Sequence, residues 1–184
     1  MSLANGPVNG STAANDAANG GSGGWANLTQ GLTDDGTYTT FDATSTIDDV
    51  TQYYKVTQFG LGGLPAGSTI DGILVEVKRK QTGSAGLPLD QSIRLCTGGS
   101  FVGTDKSTSA AWSSTEAYVS FGGSTDTWGR TWTIAEISDT TFGVGVACTD
   151  ASTGGWIAYI NAVRIIVYFI PPGSPQMSLM GVGI

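Results

Sequence analysis

The sequence predicts an all-β protein, a two-sheet β-sandwich most simply built as a jelly roll, with one short helical turn. Three observations predict it. Only 12% of the 184 residues are charged and 28 are glycine, and Thr and Ser are abundant where Lys, Glu, Arg and Gln are scarce, which favours strand and turn over helix. About seven or eight short stretches alternate apolar and polar residues with the two-residue period of a half-buried strand. Gly-, Pro- and Asp-rich turns separate those stretches. A closed barrel is the alternative topology, and the length suits one domain with a sizeable core.

Residues 1–24 are mainly Asn, Ala, Gly and Ser and read as a flexible N-terminal arm that orders only against a partner. The sandwich domain is expected over residues 25–170. From Trp25 to Phe41 bulky residues alternate with turn residues, and Asp34-Asp35-Gly36 marks a turn. Gln52–Phe59 is the first clear strand, with two Tyr and a Val. After the loop Leu61–Gly67 comes the cleanest strand, Ile70–Lys80. In it Ile73, Val75 and Val77 face one way and Leu74, Glu76 and Lys78 the other. A Gly/Pro loop over 82–90 leads to a strand at Ser92–Thr97, with Ile93 and Leu95 inward. Another strand lies around Ala117–Phe121, followed by the turn-rich Gly122–Gly129. Thr133-Ile134-Ala135-Glu136 has capping-box form and predicts one helical turn over 134–138. Thr141–Thr149 sets Phe142, Val144, Val146 and Cys148 on one face. Ile160–Phe169 closes the domain with Val163, Ile165, Val167 and Phe169 inward, and Pro171-Pro172 ends it because neither can donate to a ladder. Residues 171–184 read as an extended C-terminal tail.

Composition also excludes chemistry. There is no histidine, hence no Ser-His-Asp or Cys-His nucleophile, no His-ligated zinc and no imidazole proton shuttle. Lys plus Arg is 8 against 15 for Asp plus Glu, a net charge of −7, which argues against a nucleic-acid partner because phosphate contacts need cations. The longest apolar run, Ile160–Ile170, contains Asn161 and Arg164 and is much shorter than the ~20 residues of a membrane span. Met1–Pro7 lacks the basic start and apolar stretch of a secretory signal, so synthesis in a host cytosol is expected. Cys96 and Cys148 have no metal-ligand spacing and read as two reduced, buried thiols, with a disulfide as the alternative. No cofactor is expected.

The remaining candidates are sites of contact. Asp34, Asp35, Asp42, Asp48 and Asp49 are hard oxygen ligands of the kind calcium takes, but their spacing fits no EF-hand, and a solvated acidic face is the simpler reading. The three Glu residues, Glu76, Glu116 and Glu136, are too few and too scattered for a glycosidase pair. Trp25, Trp112, Trp128, Trp132 and Trp156 fall in or near loops. Of these, Trp25, Trp112, Trp128 and Trp156 are candidates for glycan stacking. Lys78-Arg79-Lys80 is the basic cluster and a candidate contact with an acidic partner surface. In the tail, Leu179, Gly181 and Gly183 alternate with Met180, Val182 and Ile184, which suits strand addition to a neighbour. Met177, Leu179, Met180, Val182 and Ile184 are therefore candidate partner-contact residues.

Three segments carry a resemblance. Leu64-Pro65-Ala66-Gly67-Ser68-Thr69-Ile70-Asp71-Gly72-Ile73-Leu74-Val75-Glu76-Val77 resembles a stretch found across a widespread group of tailed-phage and prophage virion proteins. Gly122–Thr133, continuing through Ile137-Ser138-Asp139 to Phe142-Gly143-Val144, and the closing Ala162–Tyr168 match the same group in the same order. Trp25 and Asp35-Gly36-Thr37-Tyr38 also fit, so the likeness spans roughly residues 25–170. It implies a jelly-roll virion structural protein of the capsid decoration (cement), head-fibre or tail-adhesin type, and brings no catalytic motif. The motifs also have plain physical readings. Pro65-Ala66-Gly67 launches a strand, Asp71-Gly72 forms a bulge or a close backbone approach, and Arg130 stacks on the indoles that flank it.

The expectation is therefore a non-enzymatic virion protein on the outer capsid surface, binding major capsid protein and sister copies, by analogy as a homotrimer, with no nucleic acid and no membrane. The alternative is a receptor- or glycan-binding jelly roll of a head fibre or tail.

Overall fold

In a computed structural model, residues 1–43, 50–83, 86–150 and 154–173 are described. Among the described residues ten strands form two five-stranded antiparallel sheets packed face to face. In chain order they are β1 (Leu3–Asn9), β2 (Thr12–Asp16), β3 (Thr39–Ala43), β4 (Tyr53–Thr57), β5 (Thr69–Gly83), β6 (Leu89–Thr97), β7 (Ser100–Val102), β8 (Ala117–Gly123), β9 (Gly143–Thr149) and β10 (Trp156–Ile170). Sheet A runs β1-β10-β5-β8, with β3 also on β10, and sheet B runs β2-β4-β9-β6-β7. With β2 and β3 set aside, the orders β1-β10-β5-β8 and β4-β9-β6-β7 are those of the nested double Greek key of a jelly roll. The fold expected from the sequence is the fold observed.

The alternation does the packing. Along β5 and β10, Ile73, Val75, Val77, Val163, Ile165 and Val167 are fully buried and meet Val144, Val146, Ile93 and Leu95 of sheet B in one core. The capping box is also as read. Helix α1 (Ile134–Ser138) has the Thr133 hydroxyl accepting from Glu136 N, while the Thr133 N–H donates to the Glu136 carboxylate. Asp71 is a bulge residue: Tyr168 pairs with Gly72 and Phe169 with Ile70.

The N-terminal segment departs from expectation. Residues 1–24 are no loose arm. β1 pairs with β10 and β2 with β4, at an edge of each sheet. The composition misleads because these strands are mostly exposed and are held by ladder hydrogen bonds; only Val8 and Ala13 touch the core. The chain crosses between sheets at Gly10, where any Cβ would run into Val56 and Phe59. The domain therefore begins with β1. The tail beyond residue 173, with its contact candidates Met177, Leu179, Met180, Val182 and Ile184, lies outside the described residues.

Candidate interaction face

The strand pleat splits the basic triplet. Arg79 points inward and is 4% exposed, while Lys78 and Lys80 point outward from sheet A. Burial of a guanidinium requires a partner, and the Asp90 carboxylate on β6 takes both of its terminal nitrogens. Asp90 also accepts from Trp112 Nε1 at 3.0 Å and from the Thr108 hydroxyl. The guanidinium lies 4.4 Å from the Trp112 ring and 5.4 Å from Phe121. Arg79 is thus a core strut, which corrects its assignment as part of a partner-facing cluster.

The tryptophans are corrected in the same way. Trp25, Trp112, Trp128 and Trp156 are at most 3% exposed, and a buried ring offers no face to a sugar. Each indole N–H is bonded inside the domain, Trp25 to the Gln52 carbonyl, Trp128 to the Ile73 carbonyl and Trp156 to Asp150. Trp25, Trp112, Phe41 and Trp156 pack together where β10 begins. Trp128 seals the other end, and Gly122 (φ +79°) makes room for it, since a Cβ there would meet the indole nitrogen and the Ile73 carbonyl. Arg130 lies 4.4 Å over the Trp132 ring, as its position between two tryptophans suggested. These loop tryptophans are plugs in the open ends of a sandwich.

What the outer face of sheet A presents is a charged tyrosine surface. Lys78 Nζ bonds Asp34 Oδ1 at 2.6 Å, and the Tyr118 hydroxyl donates to Asp34 Oδ2 at 3.1 Å. Lys80 Nζ reaches the Tyr38 hydroxyl at 3.1 Å and lies 4.3 Å from that ring, which meets Tyr159 edge-on at 5.5 Å. Arg164 bonds Glu76 at 2.7 Å and stacks 3.8 Å from Tyr118. Asn161 organises the centre. It is the extra residue of a bulge in β10, between the pairs Ile160–Arg79 and Ala162–Lys78. Its side chain donates to Glu116 at 2.7 Å and to Asp34 at 3.3 Å, and it accepts from the N–H groups of Asp35 and Gly36. A mid-sheet Asn thereby pins the 34–36 turn over the sheet.

The hydrogen bonds and ion pairs of this face shift the ionisation of their own members. The Lys78 ammonium, with Tyr118 behind it, holds the Asp34 carboxyl below the usual carboxylate range, and the bond to Asp34 raises Lys78. The bond to Tyr38 raises Lys80, and the bond to Glu76 raises Arg164. The acidic stretch is dispersed. Asp34 serves this face, and Asp35 caps its own turn through Thr37. Asp48 and Asp49 lie outside the described residues. Among the described residues no three His, Cys, Asp or Glu side chains converge to hold a metal ion. Cys96 and Cys148 are buried free thiols, as expected, and burial pushes Cys96 up to about 12.

Sequence reading did not find this face. Its signal was present in the spacing of Lys78 and Lys80, which share the outward side of a strand, but nothing in the sequence placed Tyr38, Tyr118, Tyr159 and Asn161 beside them. On sheet B a separate polar chain runs from the Tyr53 hydroxyl to Ser92 at 2.6 Å and on to Asp105 at 2.5 Å.

No family model matches the chain, and no curated protein matches it. Among solved structures, similarity is found to one described as "CBM4 structure and function", with 13% identity, a TM-score of 0.35, and coverage of 89% of this chain and 92% of that one. A likeness this weak carries no argument about function.

Proposed function

We propose that the chain is a non-enzymatic bacteriophage virion structural protein, a capsid decoration (cement) protein that binds the major capsid protein and, as a homotrimer, stabilises the shell. One observation carries this reading. The segments that resemble tailed-phage virion proteins are contiguous in space. Leu64–Val77 supplies much of β5, Ala162–Tyr168 pairs with it in β10, and Gly122–Thr133 starts at the end of β8 on the other side of β5. Within that unit Ile73 N–H donates to the Asp126 carbonyl at 2.9 Å and Trp128 donates to the Ile73 carbonyl at 2.9 Å. The charge-paired face of sheet A suits a protein surface, since hydrogen bonds fix its side chains before contact and little ordering is left to do on binding. Two of its three cations, Lys78 and Arg164, are engaged by carboxylates, which supports a partner other than nucleic acid.

The test is addition of the purified protein to capsid shells that lack it. Saturable co-sedimentation and a higher disruption temperature are expected. Absence of binding to intact shells overturns the proposal.

A second reading, a glycan-binding jelly roll of a fibre or tail, is supported by Tyr38, Tyr118 and Tyr159 standing beside Asp34, Glu116 and Asn161, ring faces and hydrogen-bonding groups together. A glycan array whose hits vanish with Tyr159→Ala would favour it over the cement reading.

A further inference from the structure

Four edges of this sandwich are guarded and one is open. β1 carries Pro7, which has no N–H to offer, and its register breaks between Asn5 and Val8. The free side of β2 is covered by the Trp25 segment, whose N–H and carbonyl bond the Asn15 side chain at 2.8 and 2.9 Å. β3 is bridged on its far side by Ala26, and β7 has three residues. β8 is different. It runs seven residues, Ala117–Gly123, with no proline, no charge and an unbroken register against β5. Among the described residues it is the last strand of sheet A, and no backbone group of residues 117–122 bonds to an element other than β5. Such an edge is a ready template for another strand.

We infer that the free edge of β8 receives the C-terminal segment 174–184 of a second copy of this chain as an added strand of sheet A. From residue 176 to the end the segment has no charge and no proline. Fully extended, residues 174–184 reach about 36 Å, enough to pair along the seven residues of β8 with several residues left over as a connection. The alternation matches as well. Inward along β8, Phe121 is buried and Val119 packs on the core, while Tyr118 and Ser120 face out. A strand that sets Met180, Val182 and Ile184 beside Val119 and Phe121 continues the apolar inner surface. The same strand sets Gly181 and Gly183 on the outward side, where they leave room for the Tyr118 ring under Arg164. Each copy offers one tail and one edge, so the exchange joins copies head to tail, in a ring when the rotation between them closes. The inference deepens the assembly reading above, yet its test uses purified protein alone, so its failure leaves capsid binding to be judged separately.

Native mass spectrometry of the full chain is expected to show an oligomer that becomes monomer on deletion of residues 174–184. Gly181→Pro, which leaves every described residue untouched, is expected to have the same effect. Ser120→Cys combined with Gly181→Cys is expected to cross-link on oxidation, with mixed isotopically labelled and unlabelled chains placing the linked peptides on different copies. A monomeric full chain, an oligomer indifferent to both tail changes, or cross-links confined to single chains overturns the inference.

Discussion

Replacing Asp90 by Ala is the sharpest test of how this core is held. The pair it breaks is deeply buried, with side-chain exposures of 4% for Arg79 and 1% for Asp90. Removing the carboxylate leaves a guanidinium among Trp112, Phe121 and Cys148, and breaking a buried pair costs about 3–5 kcal/mol. It also orphans the Trp112 indole N–H, which accounts for a further ~1–3 kcal/mol. Since the terms share one site they overlap, and a net loss of about 4–6 kcal/mol is expected, most of the stability of a domain with ~5–15 kcal/mol. Replacing both partners, Arg79→Met with Asp90→Leu, removes the charges together and is expected to cost less than Asp90→Ala alone. Urea unfolding of wild type and these two variants reads both effects as changes in midpoint at constant slope. If Asp90→Ala costs under about 1 kcal/mol, the pair is solvated and the reasoning fails. If the double variant is as damaged as the single, the loss comes from packing and the buried charge is not its cause.

Three further outcomes follow from the same structure. Trp128→Ala should cost about 3–5 kcal/mol, as for other buried aromatics cut to Ala, read by the same unfolding assay; a surface ring would lose far less. Burial raises Asp105, but bonds from Ser92, Ile93 N–H and Ser107 N–H outweigh it and hold its carboxyl below the ordinary 3.8. A depressed native value contributes stability that is full above 3.8 and is lost as pH falls through the native value. Wild type should therefore lose stability more steeply than Asp105→Asn below about pH 4, and parallel pH profiles would contradict this. Cys96 and Cys148, both raised by burial, should be silent to a thiol reagent in the native protein and react fully in denaturant; fast native labelling of either would contradict the packing.

Strands whose two faces differ were legible from the sequence. β5 and β10 alternate because one side meets the core, and Pro171-Pro172 marks the end of β10 in both readings. The capping box of α1 was legible because its hydrogen bonds are local. Residues 3–16 were not, because an edge strand held by backbone bonds leaves no mark in side-chain pattern. Lys78-Arg79-Lys80 looked like one cluster because a charge run in sequence is split in a strand, and only Asp90 on a neighbouring strand accounts for the buried Arg79. The tryptophans were placed in or near loops, with Trp156 opening β10, but whether such a ring faces solvent or plugs the sandwich depends on carbonyls such as Ile73 that lie far away in sequence. The tyrosine face was hidden for the same reason, since Tyr38 stands just before β3, Tyr118 on β8 and Tyr159 on β10, and they meet only in the folded sheet.

The central proposal, a decoration protein on a capsid, is tested most directly by a cryo-EM map of the purified virion with the copy number of this chain measured by quantitative mass spectrometry. The account predicts hundreds of copies ordered on the icosahedral shell in contact with major capsid protein, each jelly roll joined to its neighbours through β8. A handful of copies confined to a fibre or the tail tip would contradict it.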